Sequence, residues 1–176
     1  MSRLPDATFE ELSLPLFDQL YNFAQWLTQD RHEAEDLVQE TYAKALRGFS
    51  SFQLGTNFRA WMFRILRNAF LSSKSGLKIT VPLDEENEPM PAADPSTPES
   101  LLLAQSDRET VQAALTELPV YWREILLLCE VEEMSYQEIA QTLGIPLGTV
   151  MSRLFRARQA LRRLLQEKLQ GVRHGL

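Results

Sequence analysis

Residues Ser135 to Leu161 read SYQEIAQTLGIPLGTVMSRLFRARQAL, and this stretch decides the fold. Ser135 with Glu138 three residues on is a capping-box pattern. It opens a short helix through Tyr136, Ile139, Ala140 and Leu143. Gly144 closes that helix, because glycine takes the left-handed conformation just past a helix end at little cost. After Ile145-Pro146 a longer helix starts at Leu147-Gly148-Thr149 and runs to about Leu169. Helix, tight turn and second helix form the plan of a helix-turn-helix. Ala140 is small where two helices cross closely, Ile145 and Val150 fill the angle, and Leu154 and Leu161 face inward. The free N–H groups at the start of the second helix suit a DNA phosphate. Thr149, Ser152, Arg153 and Arg156 are expected to point outward, where serine and arginine reach phosphates and base edges in a major groove. Phe155 packs or touches a thymine methyl. The plainer alternative is a bundle hairpin with a solvated basic face.

Working upstream, Ser106 with Glu109 is expected to cap a helix bearing Val111, Ala114, Leu115 and Leu118. Pro119 suits the start of the next helix, which carries Trp122, Ile125, Leu126 and Cys129. Between Pro82 and Pro98 the chain alternates prolines with acids and has no apolar periodicity, so it reads as a mobile linker. The expected organisation is a domain over 1–80, a linker over 81–100 and a second domain over 101–176. In the first, Leu14, Phe17, Leu20, Tyr21, Ala24 and Leu27 recur at helical spacing. Asp30 with Glu33 opens a second helix that stops near Gly48. Phe49 to Gly55 is a short loop, and Thr56 or Asn57 caps a third helix that fades in Ser72-Ser73-Lys74-Ser75-Gly76. Nothing alternates with period two, so the fold class is all-α, two small helical domains and no strand.

The net charge of -6 in 176 residues argues against a protein that coats DNA indiscriminately. The charge is segregated, however. Met1–Glu40 is acidic, Thr41–Leu83 carries no acid, Asp84–Glu99 carries no base, and Ile139–Gln166 is again free of acid. Two basic zones between acidic ones suit two DNA contacts on a chain that also meets a basic partner. Cys129 is the single cysteine, so neither an internal disulfide nor a cysteine-rich zinc site is expected. No apolar run approaches the roughly 20 residues of a membrane span, and no secretory signal is read, so the cytoplasm is the expected compartment. His32 and His174 lack partner patterns, and there is no phosphate-binding glycine loop. An enzyme is not expected, nor a cofactor or metal.

Three separate motifs, in order, resemble the bacterial sigma-70 family in its small extracytoplasmic-function (group 4) branch. Glu33-Ala34-Glu35-Asp36-Leu37-Val38-Gln39-Glu40-Thr41 resembles the segment that docks on RNA polymerase. Asn57-Phe58-Arg59-Ala60-Trp61-Met62-Phe63-Arg64-Ile65-Leu66-Arg67-Asn68 resembles the helix that binds the -10 promoter element. Glu138-Ile139-Ala140, Leu143-Gly144-Ile145-Pro146 and Gly148 to Arg158 resemble the part that binds the -35 element. The resemblance covers about Leu14 to Leu165.

That resemblance implies a factor that binds core RNA polymerase, directs promoter-specific initiation and aids melting of the -10 element. Asp36, Gln39 and Glu40 would meet the clamp helices of the β' subunit, and the C-terminal domain would bind the β flap. The loop Phe49 to Gly55, through Phe49, Ser50, Ser51 and Phe52, would grip a base flipped from the nontemplate strand; the plainer alternative is a connector with Phe49 and Phe52 in the core. Arg59, Trp61, Arg64, Arg67 and Asn68 would make the -10 contacts; Trp61 sits on the apolar face, so packing in the core and stacking on a base are its two readings, packing the favoured one. Tyr136, Thr149, Ser152, Arg153, Phe155 and Arg156 would contact the -35 element. An anti-sigma factor is an expected partner. The chain departs from many relatives after Asn68, where Ala69-Phe70-Leu71-Ser72-Ser73-Lys74 offers a single base, and at Met151, where some relatives carry one. A stand-alone helix-turn-helix regulator is the competing reading; it leaves Asp36–Thr41 and Asn57–Asn68 without a role and predicts a dimer on a palindrome.

Overall fold

The computed structural model describes residues 7–74 and 107–174; the linker expected over 81–100 lies outside them. The chain divides into two compact units, Met1–Lys78 with Glu132–Ile145, and Ile79–Val131 with Pro146–Leu176. The described residues are helical, with turns and no strand.

In the first unit, α1 (Phe9–Ser13) opens on a capping box, Glu11 N–H donating to Thr8 Oγ1 at 3.3 Å and Thr8 N–H to Glu11 at 3.1 Å. The helix expected to run unbroken through Leu14 is instead a 3₁₀ turn over Leu14–Leu16, and α2 begins at Phe17 (Phe17–Thr28). Pro15 accounts for the break, since its ring removes an N–H and crowds the preceding turn. Asp30 caps α3 (Arg31–Gly48), accepting from Glu33 N–H at 2.9 Å. Asn57 caps α4 (Phe58–Ser73), accepting from Ala60 N–H at 3.0 Å.

The core of this unit is a stripe from each helix. Leu20, Phe23, Ala24 and Leu27 of α2 meet Ala34, Leu37, Val38 and Ala45 of α3 and Met62, Phe63, Leu66 and Phe70 of α4. Phe23 and Phe63 tilt together at 5.3 Å. Each of the leucine, valine, methionine and phenylalanine side chains contributes about 1.5–3 kcal/mol by burial. The buried Thr41 hydroxyl donates to Leu37 O at 2.7 Å, so it leaves no polar orphan.

Arg108–Glu117 (α5), Val120–Leu126 (α6) and Leu147–His174 (α8) build the second unit, and Tyr136–Leu143 (α7) belongs to the first. The cap of α5 is Asp107, which accepts from Thr110 N–H at 2.7 Å; the expected cap, Ser106, lies outside the described residues. A carboxylate serves this position as well as a hydroxyl does. Beyond Leu126 the helix widens into a π turn over Leu127–Val131 instead of continuing as α-helix through Cys129. Buried Leu115, Leu118, Ile125, Leu128, Leu154, Leu161 and Leu165 fill the second unit. Arg158 to Glu130 at 2.8 Å and Lys168 to Glu117 at 2.6 Å tie α8 to its neighbours. No helix among the described residues is long and apolar enough to cross a membrane.

Candidate nucleic-acid interface

The start of α4 forms a candidate site among the described residues. The polypeptide leaves α3 in a 3₁₀ turn, Phe49–Ser51, in which Ser51 Oγ donates to Gly48 O at 2.7 Å and Phe52 N–H to Phe49 O at 3.0 Å. This turn and α4 bring Phe49, Phe52, Phe58 and Trp61 into one aromatic cluster, with Phe52 to Trp61 at 5.0 Å and Phe52 to Phe58 at 5.2 Å. Trp61 is half-buried in that cluster. One face of it borders an open cleft of about 480 Å³ walled by Phe52, Trp61, Asn57, Arg64 and Gln141. Aromatic walls, amide groups and a guanidinium form a surface on which a base can stack and be hydrogen-bonded.

Ser50 and Ser51 are exposed on the turn, and Ser51 lines the cleft. Gln53, Thr56 and Gln141 also line it and were not singled out as site residues. Gln53 and Thr56 were readable from the turn that leads into the Asn57 cap, since Thr56 N–H donates to Gln53 O at 3.2 Å. Gln141 carried no signal in sequence, being more than eighty residues away from the turn.

Arg59 is differently placed from the free strand-contacting arginine expected. Its Nε donates to Gln19 Oε1 at 3.0 Å and Nη2 donates to Glu132 O. It pairs with the carboxylates of Glu132 at 3.7 Å and Glu138 at 3.8 Å, and lies over the Phe63 ring at 5.7 Å. Asn57 donates to Glu138 Oε2 at 3.1 Å. Burial pushes the Glu132 carboxyl up to about 7, against the pull of Arg59. Glu138 goes the other way. Its burial penalty is outweighed by Asn57, Ser135 and Arg59, which hold it below the usual carboxylate range. Arg64 and Asn68 are exposed along α4 and Arg67 is half-buried.

Asp36, Gln39 and Glu40 are all exposed on α3. Asp36 and Glu40 line a groove of about 250 Å³ with Glu33, Leu37 and Lys74. Glu40 pairs with Lys44 at 2.9 Å and Lys74 with Glu33 at 3.3 Å, so the lone base at the end of α4 closes on an acid.

The helix-turn-helix residues form as expected locally. The Ser135–Glu138 capping box is complete, and Gly144 has φ +66°. Gly144 N–H and Ile145 N–H both reach Ala140 O, the latter at 3.1 Å, which is the wrap of a Schellman motif. Tyr136 is exposed on α7. On α8, Thr149, Ser152, Phe155 and Arg156 are half-buried and Met151 is exposed. Arg153 corrects the expectation of an outward side chain, being only 8% exposed. The reason is helical phase. Val150, Leu154, Ala157, Leu161 and Leu165 form the buried stripe of α8, and position 153 lies three residues past Val150 and four before Ala157.

Residues 16–77 match the family described as Sigma-70 region 2, and residues 108–161 match Sigma-70, region 4. Over 167 residues the chain is 39% identical to the ECF RNA polymerase sigma factor SigE of Mycolicibacterium smegmatis, covering 89% of this chain and 64% of that one. It is 31% identical over 158 residues to the ECF RNA polymerase sigma factor SigW of Bacillus subtilis, covering 85% and 84%. Among solved structures, it resembles the sigma factor RpoE, co-crystallised with the anti-sigma factor NepR, from Bartonella quintana. That match has a TM-score of 0.67 and 31% identity, covering 90% of this chain and 96% of the other.

Proposed function

This chain belongs to the sigma-70 family, in its extracytoplasmic-function branch, and from that membership we propose how its residues serve promoter-specific initiation. It binds core RNA polymerase, recognises the -10 and -35 elements, and helps hold the -10 region open. It catalyses nothing itself and works in the cytoplasm. The observation that carries the reading is the cleft at the start of α4, inside the region 2 match, with Phe52 and Trp61 on its wall and Asn57 and Arg64 at its edge. Opening a duplex requires a base to leave the stack at a cost of a few kcal/mol, and an aromatic pocket offsets that cost.

The roles follow from exposure and chemistry. Phe49, Ser50, Ser51 and Phe52 shape the pocket for the extruded base, Trp61 supports it from the aromatic cluster, and Arg59, Arg64, Arg67 and Asn68 track the strand. Asp36, Gln39 and Glu40 offer an acidic helix face to basic clamp helices of the polymerase β' subunit. Tyr136, Thr149, Ser152, Phe155 and Arg156 meet the -35 duplex, while Arg153, from its buried position, positions α8. The second domain also meets the β flap, the segment over 81–100 is a linker between the domains over 1–80 and 101–176, and an anti-sigma factor restrains the chain.

Run-off transcription with core polymerase on genomic promoter fragments tests the proposal. Promoter-specific transcripts that require the chain are expected. Duplex binding without any polymerase binding would instead favour a stand-alone regulator.

A further inference from the structure

We propose that Phe9, on the short helix α1, is a positioning residue for the aromatic wall that receives the extruded base. The proposal rests on the reading of the cleft at the start of α4 as the -10 pocket. Helix α1 covers Phe9–Ser13 and so lies before residues 16–77, the extent of the region 2 match. It is held at both ends. The Thr8–Glu11 capping box fixes its first turn, and the Tyr42 hydroxyl donates to Ser13 O at 2.7 Å. Between those anchors the half-buried Phe9 ring meets three others edge to face, Phe49 at 5.4 Å, Phe58 at 6.3 Å and Tyr42 at 6.3 Å.

Phe9 does not line the cleft; Phe52 and Trp61 do. Phe49 and Phe58 stand behind that wall and each touches Phe52, at 6.2 Å and 5.2 Å, and Phe58 also meets Trp61 at 5.6 Å. Phe9 touches both members of this rear row. Phe52 follows a 3₁₀ turn and has extended backbone, so no helix fixes its ring, and its position depends on the rings around it. Aromatic pairs constrain more than apolar contact alone, because face and edge carry opposite partial charge and favour particular angles. Without Phe9, Phe49 and Phe58 lose a shared neighbour and the turn is free to repack. An arriving base must then order the wall itself, and that cost comes off its binding. Asp36 and Glu40 line a separate groove, so docking on polymerase does not draw on these rings.

The test uses the full chain with core polymerase on a promoter fragment obtained by run-off transcription. 2-Aminopurine in the template strand, opposite the -10 element, reports opening without touching the pocket. F9A is expected to lower the ratio of open to closed complex about three- to tenfold, while core polymerase capture and -35 duplex binding stay within about twofold of wild type. F9L, which keeps apolar bulk and loses the ring, is expected to melt close to wild type and still to lower the ratio, by a smaller factor. E10Q, an exposed position on the same helix, is expected to open as wild type does. An unchanged ratio in F9A, or a fall matched by an equal loss of core capture, overturns the positioning role and leaves the sigma reading standing. If F9A does not fold, F9L decides, and a wild-type ratio in F9L overturns the proposal. If the wild-type chain opens no promoter fragment, the sigma reading falls and the proposal with it.

Discussion

Gly144 and the two arginines Arg153 and Arg156 illustrate how a single position acquires its role. Gly144 adopts φ +66°, a conformation that costs an L residue about 1–2 kcal/mol. A Cβ there would also come within 3.5 Å of Arg64 Nη2. Gly144→Ala is expected to lower the urea-unfolding free energy by about that amount, and an unchanged midpoint would show that the turn relaxes freely. Arg153 and Arg156 are three residues apart on α8, but one is on the buried stripe and the other half-exposed. Arg156→Ala is expected to weaken binding to a -35 duplex by about 1–3 kcal/mol and relax base preference at one position, with stability little changed. Arg153→Ala is expected to cost stability instead, about 1–3 kcal/mol, with base preference intact. Base-preference profiles and melting curves of the two variants separate these outcomes. Residue identity was legible in sequence for the glycine. It was not for Arg153, because charge suggests an outward side chain and helical phase overrules it.

At the scale of elements, caps and breakers were readable and their neighbours were not. The Ser135–Glu138 box, the Asp30 and Asn57 caps and the Gly144 stop are local hydrogen-bond patterns between residues three or four apart, so sequence spacing suffices to find them. The short helix at Phe9–Ser13 went unread although Thr8 and Glu11 carry the same signature, since five residues hold too little apolar periodicity. The π turn at Leu127–Val131 has no local marker at all. The acidic face of α3 yields a prediction of its own. Asp36→Lys with Glu40→Lys should leave the melting temperature within a degree or two, because both side chains are exposed. Core polymerase captured by the immobilised chain should fall at least about tenfold. Full capture by the variant would move the docking face elsewhere.

Across the whole molecule, the contact of Glu132 and Glu138 with α4 makes the packing of α7 sensitive to pH. The Glu132 carboxyl is raised from 4.5 to about 7 in the folded contact, so the contact binds a proton more tightly than the released segment does. Its contribution, on the order of 3 kcal/mol at most, is full below about pH 4.5 and is lost as pH rises through about 7. Glu138, held low, contributes in the opposite sense, but its loss comes at acid pH, outside the window around neutrality. Hydrogen exchange in Tyr136–Leu143, corrected for intrinsic rates, should therefore quicken from about pH 5.5 to 8, and the rise should vanish in Glu132→Gln. An identical rise in both chains would assign the effect to another group. The long helices, the caps at Asp30, Asn57 and Ser135, the turn of the helix-turn-helix and the family were decided by the sequence, because each depends on side chains within a few residues of one another. Tertiary structure alone decided that Gln141 walls the base cleft, that Arg59 is held by Glu132 and Glu138, and that Glu132 titrates near neutrality. These depend on which distant segments meet and on how much water their meeting removes, and neither is encoded in local spacing.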